Sequence, residues 1–118
     1  MSSTWDAWTY RVARTAQSAD IVGYEVHATD GHIGKVDDAT YDVGVSLIVV
    51  DTGPWIFGRK VLLPAGTIDR IDDADEKVYV DLTKDQIKDS PDLDDLAALD
   101  DAAYREQVRL YYSAFYGY

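Results

Sequence analysis

Two histidines, His27 and His32, bracket an Asp30-Gly31 turn. A hairpin there would bring two imidazoles towards a carboxylate, the donor set that zinc or copper takes. No second motif supports a site and the turn is one the fold already needs, so both are expected to be surface histidines without a ligand. Asp69, Asp72, Asp73, Asp75 and Glu76 offer oxygens of the kind calcium gathers, six or more at a time. The run lacks the glycine and the distal glutamate of an EF-hand loop, and a solvated hairpin tip accounts for it; weak divalent binding is the alternative. Nucleophilic chemistry has little footing: Ser2, Ser3, Ser18, Ser46, Ser90 and Ser113 all lie outside a G-x-S-x-G elbow, and only two histidines could act as a base. There is no G-x-G-x-x-G or Walker loop. No catalytic, cofactor-binding or metal-ligating residue is assigned, no cofactor is expected, and the chain is expected not to be an enzyme.

Binding surfaces are better represented. Trp55, Ile56 and Phe57 lie in a stretch bounded by Gly53-Pro54 and Gly58, where apolar residues reach the surface more readily than in a strand. They would either anchor a partner as a hot spot or cap the mouth of a barrel. Near the C-terminus Tyr104, Val108, Tyr111, Tyr112 and Phe115 recur at i, i+4, i+7, i+8 and i+11, one face of a helix over about 101–116. That stripe has three uses: covering the barrel of its own chain, meeting the Trp5/Trp8 segment, or pairing with a second subunit. These eight residues are the candidate protein interface.

The elements that must position them read as a small all-β domain with short C-terminal helices. Val22, Tyr24 and Val26 alternate with Gly23, Glu25 and His27 as a half-buried strand should. Over 33–45 the apolar phase switches after Val36, which predicts a β-bulge at Asp37-Asp38 that helps the sheet curl. Leu47–Val50 and Val61–Leu63 are continuously apolar, as in strands covered on both sides. Strands near 67–71 and 77–81 flank the acidic turn, with Val78, Val80 and Leu82 facing inwards. Together they predict a small antiparallel barrel of five or six strands. Thr83-Lys84-Asp85-Gln86 fits a capping box for a helix that ends before Pro91. Residues 1–20 form an aromatic arm, helical or extended, that must dock somewhere because exposing two tryptophans is costly. The organisation expected is therefore an arm over 1–20, a barrel over 21–82 and a helical extension over 83–118, within one domain.

Composition narrows the function classes. With 47% hydrophobic and 28% charged residues among 118, the chain is of the globular kind. It holds no cysteine, which removes disulfides, thiolate metal sites and cysteine nucleophiles. Its 22 acidic residues against 11 basic ones give a net charge of −11, a surface that repels phosphate backbones and anionic lipid. Nucleic acid and membrane insertion are thus not expected, and no apolar run approaches the ~20 residues of a membrane span. A cytoplasmic location is expected.

The motifs Asp30-Gly31, Gly34-Lys35-Val36, Val50-Asp51-Thr52-Gly53 and Arg59-Lys60-Val61-Leu62-Leu63-Pro64 resemble those of the PRC-barrel domain. That family takes its name from the cytoplasmic part of the photosynthetic reaction-centre H subunit and includes the C-terminal domain of a bacterial 30S ribosome maturation factor. The resemblance covers about half of the chain and implies a PRC-type β-barrel that serves as an interaction module. The N-terminal domain of the ribosome factor has no counterpart here, nor has the membrane helix of the H subunit, so neither setting is expected. Asp30, Gly31, Gly34, Lys35, Gly53 and Pro64 match the motif at turns and strand ends, where a structural role suffices. The function expected is a non-catalytic protein-interaction or assembly module, self-associating as a homo-oligomer or homodimer. The alternative is a cation or small-ligand binder using the acidic loops or the barrel mouth.

Overall fold

The computed structural model describes residues 7, 8, 10, 20–40, 46–53, 60–91 and 102–115. Among these residues six strands form one sheet: β1 (Glu25–Ala28), β2 (Gly31–Ala39), β3 (Leu47–Asp51), β4 (Lys60–Pro64), β5 (Ile68–Asp72) and β6 (Lys77–Val80), in the order β4-β3-β2-β1-β6-β5. The described helices after the sheet are α1 (Lys84–Lys88) and α2 (Ala102–Ser113). The antiparallel barrel expected from the sequence needs two corrections. First, β1 and β6 pair parallel, with Glu25 beside Lys77 and His27 beside Tyr79. Only tight hairpins force antiparallel neighbours, and these two strands are joined through the rest of the sheet. Second, the strand order is open, with β4 and β5 as its edges. Between these edges runs a buried 3-10 turn, Ala65–Thr67, in which Thr67 Oγ1 donates to Pro64 O (2.8 Å) and Ala65 N to Ser46 O (3.1 Å).

β3 and β4 bury nearly every residue, as their continuous apolar runs require. The bulge expected near Asp37-Asp38 is present: the β2–β3 register shifts between Val36 and Asp38. A second shift falls between Val26 and His27, opposite Gly34 and His32. Gly34 therefore lies inside β2 and not at a strand end. A Cβ there would overlap the backbone carbonyl of Asp51, so the absence of a side chain lets β2 pass against the end of β3. The alternation expected over Val22–Val26 fails at its start. Val22 is 45% exposed whereas Ile21 is fully buried. Gly23 adopts φ +91°, and Tyr24 N donates to Ile21 O (3.0 Å), a turn that reverses the phase before β1 begins.

The core runs from Ile21 through the sheet to Ile87 of α1 and to Tyr104, Val108 and Tyr112 of α2. Thr83 caps α1 as expected: Gln86 N donates to Thr83 Oγ1 and Thr83 N to Gln86 Oε1. α2 lies against β4, and the Tyr111 hydroxyl donates to Gln86 O (2.6 Å), tying the two helices together. Of the N-terminal segment, Ala7 is buried and Trp8 and Tyr10 pack against the core. Gly66 N donates to Ala7 O and Ser46 N to Trp8 O, both at 2.9 Å, so this stretch docks where β3 begins and β4 ends. Trp5 lies outside the described residues.

Candidate functional site

The structure divides the residues singled out from the sequence. Tyr104, Val108 and Tyr112 are buried on the sheet of their own chain, which is the first of the three uses open to the stripe. Tyr111 is half-buried, Phe115 is 42% exposed, and Leu110, outside the stripe, is 56% exposed. Tyr111, Tyr112 and Phe115 pack edge-to-face, with centroids 5.0 to 6.4 Å apart. An aromatic cluster thus anchors the end of α2 and leaves an apolar edge in solvent. Trp55, Ile56 and Phe57 lie outside the described residues.

A second surface emerges only when the strands are aligned. On the face opposite the core, the register brings Asp72, Lys77, Glu25, Lys35, Asp51 and Lys60 into one row, each from a different strand and each opposite in sign to its neighbour. Cross-strand pairs of opposite charge stabilise a sheet by roughly 0.2–1 kcal/mol each. Lys60 Nζ also reaches Asp37 Oδ2 across the β2 bulge at 2.9 Å, which raises the lysine pKa first through that hydrogen bond. Two residues further along β5, β6 and β1, and three along β2 where the register shifts, runs a second row, Arg70, Tyr79, His27 and His32. The Arg70 guanidinium lies 4.2 Å from the Tyr79 ring centre, Tyr79 stacks on His27 at 5.6 Å, and His27 meets His32 edge-on at 5.2 Å.

This arrangement does not bring the histidines and Asp30 together as a metal site. The Asp30 carboxylate instead accepts from Lys84 N (2.9 Å) at the start of α1, and His32 Nε2 lies 3.5 Å from Glu25 Oε1. Among the described residues, no group of three or more His, Asp or Glu side chains is placed to hold a metal ion. His27 Nε2 is enclosed and has no hydrogen-bond partner. That desolvation lowers the His27 pKa below the ordinary 6.5, reinforced by His32 and Lys77 and opposed by Glu25. Beside the stack, His32, Gly34, Lys35, Asp51, Thr52 and Gly53 line a hollow of about 290 Å³.

The PRC-barrel domain model matches residues 15–87, more than half of the chain and every strand of the sheet. The chain belongs to the PRC-barrel family. It is also similar to a solved structure, that of a protein from Pseudomonas aeruginosa described as the 16S ribosomal RNA processing protein RimM. Identity is 25% over 55% of this chain and 42% of that one, with a TM-score of 0.47, so the chain spans less than half of that protein. No curated protein matches. Within this PRC-barrel chain, sequence reasoning reached the helix stripe and the approach of His27 to His32 across the hairpin, but missed the charged row and the extension of the histidine pair to Tyr79 and Arg70. Their members are scattered from Glu25 to Tyr79, and only the strand register unites them. The available signal was weak: β1, β3, β4 and β6 each carry a single acidic residue or lysine.

Proposed function

We propose that this PRC-barrel chain is a non-catalytic assembly module that holds protein partners, copies of itself included. The observation that carries the reading is the exposed apolar edge of α2. Phe115, the last residue of the stripe, remains in solvent together with Leu110 from outside it, although Tyr104, Val108 and Tyr112 are buried and Tyr111 half-buried. Leu110 stands on α2 and Phe115 in the turn that follows it, and the helix is fixed from beneath by Val108 and Tyr112 and from the side by the Tyr111–Gln86 hydrogen bond. A preorganised aromatic edge loses little side-chain entropy on binding, which is how a small contact becomes a hot spot. Membership of a family whose members serve as interaction modules supports the same reading.

The test uses the intact chain as bait in extracts of its source cells, beside a variant carrying Leu110→Ser and Phe115→Ser. A protein retained by the first and lost by the second, identified by mass spectrometry, is the expected result. Identical retention by both baits would refute the α2 edge as a docking site.

A further inference from the structure

Two copies of a chain with net charge −11 repel one another, so a contact between them favours a surface on which charges balance. The middle of the outer row is such a place. Lys77, Glu25, Lys35 and Asp51 alternate in sign across β6, β1, β2 and β3 and sum to zero. A second copy can be turned to face this row about a twofold axis that runs along the strands, between β1 and β2. Glu25 then faces the partner's Lys35 and Lys77 faces the partner's Asp51, and the two reciprocal pairs follow by symmetry. A twofold axis lying across the strands would set each strand on its own copy and oppose like charges. The order of charges therefore selects the first axis.

Alternating charge alone has a simpler use, since neighbouring strands of one chain gain from it. Shape supplies the second argument. On the β1–β6 side of the axis the stacked Arg70, Tyr79 and His27 make a ridge. On the β2–β3 side lies the hollow of about 290 Å³, lined by the exposed His32, Lys35 and Asp51 of the outer face and floored by Ile33, Gly34 and Thr52. Rotation about the same axis lays the ridge of each copy towards the hollow of the other. Within one chain the charge ladder accounts for neither feature. Arg and Tyr are also residue types enriched where proteins meet.

We propose that two copies of this chain pair through the outer face of the sheet, about a twofold axis between β1 and β2. This goes beyond the reading above: the α2 edge is left to other proteins, and the contact between copies of the chain is placed on the sheet. Sedimentation equilibrium tests it with Glu25→Lys and Lys35→Glu. The wild type is expected at twice 13.2 kDa. Each variant alone opposes like charges across the axis and should dissociate, its Kd rising on the order of 100-fold. Mixed together, the two variants restore every opposite pair and should form a heterodimer. Tyr79→Ala, which removes the ridge without changing charge, should raise Kd about tenfold, the size of a lost interface aromatic. A wild type that stays at 13.2 kDa, single variants that dimerise like the wild type, or a mixture that stays monomeric would each overturn the pairing. The Leu110→Ser, Phe115→Ser variant should remain dimeric. If that variant alone became monomeric, the pairing would fall while the α2 edge stood as the self-contact.

Discussion

At the level of single residues, the burial of His27 gives the fold a dependence on pH. Its Nε2 is enclosed without a hydrogen-bond partner, and desolvation is the first cause of a pKa below 6.5. The sign follows from linkage: the folded chain holds this imidazole neutral at a pH where the unfolded chain would already bind a proton. Its neutral form thus contributes stability that is fully present above about 6.5, the unfolded value. That contribution is lost as pH falls through this value towards the lower folded one. His32 and Lys77 steepen the loss and Glu25 softens it. Urea titrations at pH 8 and pH 5 should show a midpoint that drops with acid, and His27→Gln should shrink the drop. An equal drop in both proteins would assign the acid sensitivity to other groups.

At the scale of elements, local signals were legible where chemistry is local. Thr83 and Gln86 announced α1, the phase switch after Val36 announced the bulge, and the stripe of α2 announced its buried side. Val22 misled because the reversal at Gly23 depends on a positive φ that alternation does not encode. The parallel pairing of β1 with β6, and with it the charged and aromatic rows, depends on contacts between distant parts of the chain and leaves no mark in either strand. The α1 cap offers a clean check on element energetics, since both arms of the box are formed and Lys84 N is also held by Asp30. Thr83→Ala should cost about 1 kcal/mol, the usual value of such a cap, read as a lower urea midpoint with an unchanged m-value. No shift would mean that packing of Ile87 alone holds the helix.

For the molecule as a whole, the folded unit is larger than the segment that defines its family. The match ends at residue 87 and begins at 15. Beyond those limits Ala7, Trp8 and Tyr10 on one side and Tyr104, Val108 and Tyr112 on the other belong to the core or pack against it. The N-terminal stretch satisfies backbone groups at Ser46 and Gly66, and α2 covers β4, an edge strand that would otherwise present its apolar residues to water. Fully burying a large aliphatic or aromatic side chain is worth roughly 1.5–3 kcal/mol. Val108 and Tyr112 together therefore contribute about 3–6 kcal/mol, which reaches the lower end of the ~5–15 kcal/mol net stability of a typical domain. A fragment spanning 15–87 should consequently lack a cooperative thermal transition or melt far below the whole chain, and should bind a hydrophobic dye at its uncovered β4 side. In the whole chain Tyr112→Ala, which opens a cavity under α2, should cost about 3–5 kcal/mol. A fragment melting as cooperatively and as high as the full chain would show instead that the strands alone hold the fold, with both terminal segments acting as attachments available for partners.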